Sequence, residues 1–167
     1  WGAVPGTEHY LVYRQESGSK EWKLLDKTAS SKLFYEDSSV ESGKNYKYAV
    51  GVENGKVSTE IGFNSKSHKF LGAPVVSEAK NIAEGIKLSW GNVNGAVSYE
   101  VYRKNNANEE WKLIDTINST SYIDKNIQEG STYIYSLKTV ASDMKSSFNT
   151  AVTVSRVSAP ELIGVES

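Results

Sequence analysis

The chain has 167 residues with 19 basic and 20 acidic side chains, and its net charge of −1 gives no general attraction to nucleic acid or to an anionic membrane surface. It has no cysteine, which excludes disulfides and thiolate metal ligands. No run of apolar residues is long enough to cross a bilayer, so we expect no membrane insertion. Because the charge is balanced, we also expect no nucleic-acid partner.

An internal repeat organises the chain. The segment YLVYRQESGSKEWKLLD, beginning at Tyr10, returns 89 positions later as YEVYRKNNANEEWKLID, beginning at Tyr99, and nine of the 17 positions are identical. Local propensity does not produce such a match, so the pattern indicates a duplicated structural unit. We therefore predict two domains, residues 1–71 and residues 72–158.

Within the second repeat, apolar residues alternate with polar ones over four segments, which predicts half-buried strands. In chain order the segments contain Ile86, Leu88 and Trp90, then Tyr99 and Val101, then Tyr133, Tyr135 and Leu137, then Phe148, Val152 and Val154. The turn-forming clusters GNVNG, KNNAN and QEG lie between them. No stretch has a sustained helical period. Short strands at regular spacing indicate an antiparallel β-sandwich.

The order of the motifs LSW, GAVSYEVYR, STSYID and IQEGSTYIYSLKTV resembles the fibronectin type III family, as it occurs in tandem in bacterial surface proteins and secreted polysaccharide-degrading enzymes. The resemblance covers nearly the whole chain. It implies an all-β protein with two tandem fibronectin type III-like antiparallel β-sandwiches. It also implies that Trp90 ends strand B, that Tyr99 lies on strand C, and that Tyr122 and Asp124 lie near strand E.

The same resemblance gives four aromatic residues a structural role. Tyr133 takes the tyrosine-corner position at the start of strand F, and Tyr46 takes that position in the first repeat. Trp1 aligns with Trp90, and both are predicted to be structural. A corner tyrosine bonds the backbone through its hydroxyl, and we expect phenylalanine to leave a buried backbone acceptor unpaired.

No catalytic motif is present in the sequence. The HExxH, GxSxG, Walker and GxGxxG patterns are absent, and the acidic residues are scattered among lysines. Asp37 and Asp124 recur in both repeats, but a carboxylate just after a strand is more typical of a turn cap than of acid–base catalysis. We predict that the chain is not an enzyme and has no catalytic residue, no metal site and no cofactor.

Trp22 and Trp111 each follow a short hairpin loop, and with Arg14 and Arg103 they are the candidate binding residues. Because both residue types recur while the loops between them differ, we favour packing, in which each guanidinium covers its indole from the solvent side. Two alternatives stay open: an exposed indole could stack on a sugar ring, or it could contact a neighbouring module.

The duplication also predicts incomplete ends. Aligned on Trp90, the first repeat begins at Trp1 and lacks counterparts of strands A and B, so we expect an open edge and an unfilled core there. The segment APELIGVES, residues 159–167, aligns with APVVSEAKN at the start of the second repeat. We expect it to be the first strand of a further repeat.

These observations favour non-catalytic spacer or interaction modules of a larger extracellular protein, secreted or attached to a bacterial cell surface. The expected partners are neighbouring domains of the same polypeptide. Two alternatives have other partners. Carbohydrate-binding modules would bind a glycan through Trp22 and Trp111, and adhesin modules would bind a host protein through their loops.

Overall fold

The structure is a computed structural model that describes residues 1–59 and 64–158. The chain divides into two compact units, Trp1–Phe70 and Leu71–Ser167, which we call unit 1 and unit 2. The boundary predicted from the sequence, after residue 71, lies one residue from this division.

The described residues form strands and turns. None of them belongs to a helix that could span a membrane. The further strand predicted for residues 159–167 lies outside the described part of the chain.

Unit 1 is built on one antiparallel sheet of five strands in its described part. The strands are β1 (His9–Glu16), β2 (Lys23–Ala29), β3 (Asn45–Asn54), β4 (Val57–Ser58) and β5 (Lys66–Lys69). β1 lies between β2 and β3, and β3 pairs with β5 near its start and with β4 near its end.

Unit 2 is a complete sandwich of two antiparallel sheets. Its strands are β6 (Val76–Ile82), β7 (Gly85–Trp90), β8 (Ser98–Lys104), β9 (Lys112–Ile117), β10 (Ser121–Asp124), β11 (Thr132–Val140) and β12 (Val152–Ser155). One sheet has the order β10-β7-β6 and the other the order β12-β11-β8-β9. This is the strand order of a fibronectin type III sandwich, with β6 as strand A and β12 as strand G. The predicted all-β fold is confirmed.

The core of unit 2 lies between these two sheets. Ile86 and Leu88 on β7 face Val101 on β8 and Tyr135 and Leu137 on β11, and all five side chains are fully buried. They occupy alternate positions on their strands because successive side chains of a strand point to opposite faces. The face of each sheet that meets this core is called the inner face below, and the opposite face is the outer face.

The central strand pair has the same register in both units. Arg14 on β1 lies opposite Tyr48 on β3, and Arg103 on β8 lies opposite Tyr135 on β11. Trp1 packs against Tyr10 with ring centroids 5.5 Å apart. Trp90 packs against Tyr99 at the same distance. The duplication seen in the sequence is therefore a duplication of side-chain packing.

The two units differ in what covers the inner face. The described residues of unit 1 contain no counterpart of β6 and β7, and residues 34–37, which align with β10, form no strand. Without a partner strand, that segment has no backbone ladder to join. Val50 on β3 is 38% exposed, whereas Leu137 at the equivalent place in unit 2 is fully buried.

Gly85 fixes the distance between β7 and β10. Its φ angle is +153°, and a Cβ at this position would lie 2.1 Å from the carbonyl oxygen of Asp124. That separation is shorter than any van der Waals contact, so only glycine fits between the two backbones. The close approach brings Asp124 against the end of β7.

Candidate functional site

A buried carboxylate joins the two sheets of unit 2. Asp124, at the end of β10, is 1% exposed. Its Oδ2 accepts hydrogen bonds from the Arg103 guanidinium at 2.6 Å and from the Tyr135 hydroxyl at 2.9 Å. Its Oδ1 accepts from the backbone N–H of Asn126 at 3.0 Å. The predicted turn cap is thus present, and the same carboxylate also forms an ion pair across the sandwich.

Unit 1 contains the same network. Asp37 Oδ2 accepts from Arg14 at 2.8 Å and from the Tyr48 hydroxyl at 2.9 Å, and its Oδ1 accepts from the backbone N–H and the hydroxyl of Ser39 at 2.9 and 2.7 Å. Burial raises the pKa of Tyr48, and its hydrogen bond to Asp37 adds to this, bringing the pKa to about 12. The network recurs with the fold, so it is a structural device of both units.

The Asp37 carboxylate is poorly suited to acid–base catalysis. Burial raises the pKa of Asp37, but the hydrogen bonds from Ser39, Tyr48 and Arg14 outweigh that effect and lower the pKa from 3.8 to about 2. A general acid or base needs a pKa closer to the working pH and a free hydrogen-bonding direction toward substrate. Both oxygens of Asp37 are already occupied.

We expect unit 1 to lose about 2 kcal/mol of stability on acidification because of Asp37. Its folded pKa of about 2 lies below the ordinary value of 3.8. The ionised carboxylate therefore stabilises unit 1 fully above that ordinary value, and the stabilisation disappears as the pH falls through the folded value. Urea denaturation at a series of acidic pH values measures this dependence. The Asp37→Asn variant should show a flatter profile, and an unchanged profile would contradict the assignment.

In each tyrosine corner, a backbone N–H donates a hydrogen bond to the tyrosine hydroxyl. The N–H of Gln128 donates to the hydroxyl oxygen of Tyr133 at 2.8 Å, and the N–H of Glu41 donates to that of Tyr46 at 2.9 Å. The sequence argument gave the hydroxyl the opposite role, that of a donor to a backbone acceptor. In the structure, loss of the hydroxyl leaves a backbone donor without its partner.

We expect Tyr133→Phe to lower the free energy of unfolding of unit 2 by about 1–3 kcal/mol, because the Gln128 N–H loses its acceptor while the ring volume stays. Chemical denaturation of the variant measures the loss. Tyr122→Phe is the matched control, because the hydroxyl of Tyr122 makes no hydrogen bond with a described residue and the ring is half-buried. Equal stability of the two variants would show that the corner bond contributes nothing.

The arginines do not cover the tryptophans. Arg103 lies 5.0 Å from the ring centre of Tyr133, and Arg14 lies 4.9 Å from that of Tyr46, so each guanidinium packs on a corner tyrosine on the inner face. The predicted Arg103–Trp111 contact is therefore wrong. Trp111 lies on the outer face, where the Nζ of Lys104 is 4.8 Å from its ring centre.

Trp111 belongs to a half-buried aromatic cluster on the outer face of the β12-β11-β8-β9 sheet. Its ring stacks on Phe148 with centroids 5.4 Å apart, and Phe148 meets Tyr102 edge-on at 4.9 Å. The Nζ of Lys138 lies 4.1 Å from the ring centre of Phe148. We call Tyr102, Lys104, Trp111, Lys138 and Phe148 the outer cluster. The sequence argument placed Phe148 on a strand and did not connect it with Trp111.

An asparagine side chain positions Phe148. The Oδ1 of Asn149 accepts from the backbone N–H of Leu137 at 2.7 Å and from the Ser136 hydroxyl at 2.9 Å. The backbone N–H of Asn149 also donates to the Leu137 carbonyl at 3.0 Å. These bonds replace a strand partner for this part of β11 and hold Phe148 over the sheet.

A second carboxylate lies beside the outer cluster. Glu100 is 5% exposed and accepts from the Nζ of Lys145 at 2.6 Å and from the Tyr102 hydroxyl at 2.7 Å. Burial opposes ionisation of Glu100, but the bonds from Lys145 and Tyr102 outweigh it and lower its pKa. Glu100 is thus an ion-paired anion whose hydrogen bonds fix the Tyr102 ring.

Trp22 is half-buried and has no ring contact with another described residue of unit 1. The four candidate binding residues therefore do not form one site. Arg14 and Arg103 belong to the Asp37 and Asp124 networks, and only Trp111 lies in an aromatic cluster. Ligand contact at Trp22 and Trp111 stays a prediction.

Unit 1 has an apolar groove of about 440 Å³ on its uncovered inner face. The lining includes Val12, Tyr46, Tyr48, Val50 and Phe70. Apart from Phe70, these residues align with core residues of unit 2, so the groove corresponds to the uncovered half of a sandwich interior. Glu36, Asp37 and His68 also line the groove, but the described residues form no group that could hold a metal ion.

No group of three or more metal-ligating side chains occurs among residues 1–59 and 64–158. The carboxylates of those residues that are buried belong to the ion pairs described above. The Asp124 network could have been predicted from the repeat. In both repeats a second tyrosine, Tyr48 or Tyr135, lies two residues after the corner tyrosine.

Residues 74–155, just under half of the chain, match the family described as "GH85 endohexosaminidases, C-terminal domain". This segment contains all seven strands of unit 2. A comparison with curated protein sequences gave no match.

Several solved structures are similar to the chain. A fibronectin type III-like protein from Clostridium thermocellum is 23% identical, with 54% of this chain and 97% of that chain covered and a TM-score of 0.47. A two-domain fibronectin type III segment of chicken tenascin is 14% identical, covering 91% of this chain and 86% of that one, with a TM-score of 0.46. The chicken interferon gamma receptor alpha chain is 16% identical, covering 94% and 89%, with a TM-score of 0.49.

Proposed function

We propose that this chain is a pair of non-catalytic accessory modules of a larger extracellular glycoside hydrolase of the GH85 class. The observation that carries the proposal is the family match, which spans the whole sandwich of unit 2 from before β6 to the end of β12. That family is described as a C-terminal domain of endohexosaminidases, so hydrolysis would belong to another part of the same polypeptide.

The geometry supports a non-catalytic role for the residues described. A retaining or inverting glycosidase needs two carboxyl groups that face a common space, one able to donate a proton. Asp37 and Asp124 lie in separate units, and each is hydrogen-bonded through both oxygens to its own arginine, tyrosine and turn. Glu100 is held by Lys145 and Tyr102. Each of these three carboxylates is therefore committed to the fold.

An extracellular location is part of the proposal. It rests on the resemblance to modules of secreted polysaccharide-degrading enzymes and on the glycan substrates that the name of the matched family implies. Such substrates occur mainly on secreted and cell-surface molecules. Within that setting, neighbouring domains of the polypeptide are the expected partners of both units.

Two measurements test the proposal. The complete reading frame should encode a glycoside hydrolase catalytic domain, and a frame without one would overturn the accessory role. The isolated chain should release no glycan from an N-glycosylated protein, as followed by mass spectrometry of the protein. Release of glycan by the isolated chain would contradict its non-catalytic character.

A further inference from the structure

Two aromatic positions of the outer cluster recur in the sequence of unit 1, but the charged residues beside them do not. At offset 89, Tyr13 and Trp22 of unit 1 correspond to Tyr102 and Trp111. On the same outer face, Lys104 corresponds to Gln15 at that offset.

The other two charged residues, Glu100 and Lys138, also have uncharged counterparts in unit 1. Glu100 corresponds to Leu11, and these residues lie opposite Lys138 and Gly51 in the equivalent strand pairs. Unit 1 forms the same strand pair without any of the three charges. The fold therefore does not require the charges of unit 2, and their presence needs another reason.

The lysines are positioned to receive an anion. The Nζ of Lys138 lies over Phe148 at 4.1 Å, and that of Lys104 lies over Trp111 at 4.8 Å and also donates to the Ala107 carbonyl at 2.9 Å. Neither ammonium has a carboxylate within 4.0 Å among the described residues. A cation over an aromatic ring at a half-exposed site is held only weakly, so it can turn toward an incoming anion.

The nearby carboxylates are engaged within the fold, and Glu100, which lies opposite Lys138, also attracts it electrostatically. Glu100 is paired with Lys145 at 2.6 Å. Glu109 accepts hydrogen bonds from Asn105 and Asn106 within the β8–β9 loop, and Asp115 accepts from the N–H of the following residue. The outer cluster thus combines half-buried aromatic rings with two ammonium groups that have no ion-pair partner among the described residues.

We propose that the outer cluster binds a saccharide that carries a carboxylate, such as a sialic or uronic acid unit. The apolar face of the sugar ring would pack on the exposed parts of Trp111 and Phe148, and the carboxylate would pair with Lys104 and Lys138. This inference deepens the proposed accessory role and rests on it for the choice of a saccharide. A nucleic acid would require a longer basic surface than two ammonium groups provide.

The test is an NMR titration of the ¹⁵N-labelled chain with 3′-sialyllactose and with a hyaluronan hexasaccharide. Lactose and chitohexaose are the matched neutral saccharides. We expect at least one acidic saccharide to shift the indole N–H of Trp111 and the amide of Lys138, while the indole of Trp22 stays unchanged. Affinity should fall with added salt.

The double variant Lys104→Gln and Lys138→Gln should weaken acidic saccharide binding by about tenfold or more, because both cationic partners of the ligand carboxylate are lost. Lys47→Gln is the control, since Lys47 is exposed on the outer face of unit 1. A thermal melt checks that the double variant is folded, and Lys138→Arg should keep binding.

Three results would overturn the inference: no shift with either acidic saccharide, no acidic saccharide that binds more tightly than the neutral saccharides, or equal loss of affinity in the Lys47→Gln control. The reading-frame test is independent of this titration. A hydrolase reading frame with no acidic-saccharide binding would remove only this inference. Binding without a hydrolase reading frame would remove only the accessory role.

Discussion

Replacement of Asp124 by alanine is expected to lower the free energy of unfolding of unit 2 by about 3–5 kcal/mol, the usual cost of removing one partner of a buried ion pair. The variant leaves the Arg103 guanidinium and the Tyr135 hydroxyl without the acceptor that both use, at 2.6 and 2.9 Å. It also removes the cap of the turn at Asn126. Guanidinium chloride denaturation of the whole chain, with the transitions of the two units fitted separately, measures the loss.

The comparison variant for Asp124→Ala is Asp115→Ala. Asp115 is exposed and, among the described residues, accepts only from the N–H of the next residue, so its loss should cost less than about 1 kcal/mol. The double variant Asp124→Leu with Arg103→Met should recover part of the stability, because it leaves no unpaired buried charge. If Asp124→Ala costs no more than Asp115→Ala, the ion pair does not hold the two sheets together.

Gly85→Ala should destabilise unit 2 by about 3 kcal/mol or more, since neither the space nor the backbone conformation accepts a side chain. The new Cβ would meet the Asp124 carbonyl oxygen at 2.1 Å, and the φ angle of +153° is strained for any residue except glycine. Relief of the clash requires β10 to move away from β7, which would break the pairing of Asp124 with Ile86. Chemical denaturation again gives the loss.

Gly91 provides the matched control for this substitution. It follows β7 directly, and a Cβ there meets nothing within 4 Å. Gly91→Ala should therefore change the stability by no more than about 1 kcal/mol, with a small gain from the unfolded state. A Gly85→Ala variant as stable as Gly91→Ala would show that β7 and β10 can separate without cost.

The sequence predicted the strands of unit 2 well because the core residues alternate without interruption. Ile86 and Leu88 on one strand and Tyr135 and Leu137 on another keep a period of two, and all are fully buried. The motif IQEGSTYIYSLKTV located the corner at Tyr133 through the family resemblance. In the structure the Tyr133 ring reaches a turn backbone five residues earlier in the chain.

The position of Trp111 could not be predicted, because it depends on a bulge. The pairing of β8 with β9 shifts between Val101 and Tyr102, so that Leu113 lies opposite Tyr102 instead of Arg103. One extra residue moves every following side chain to the other face of the sheet. Trp111 consequently lies on the outer face while Arg103 stays inside. No residue type in the KNNANEE loop marks that shift.

Only part of the network around Asp124 could be predicted from the sequence. Recurrence of Asp37 and Asp124 indicated a turn cap, and the structure contains one in each unit. The ion pair with Arg103 depends on where β10 lies across the sandwich from β8, and the close approach at Gly85 sets that separation. Such long-range distances do not follow from periodicity within a strand.

The common register of β1–β3 and β8–β11 has a consequence for the route by which the chain folds. Arg14 pairs with Tyr48 as Arg103 pairs with Tyr135, so in an unfolded chain β1 can also form a matched ladder with β11. Such a mispaired hairpin satisfies the same backbone bonds, and it must dissociate before either unit can close. Similar adjacent domains are prone to this kinetic trap. Refolding of the two units together should therefore contain a slow phase that isolated unit 2 lacks.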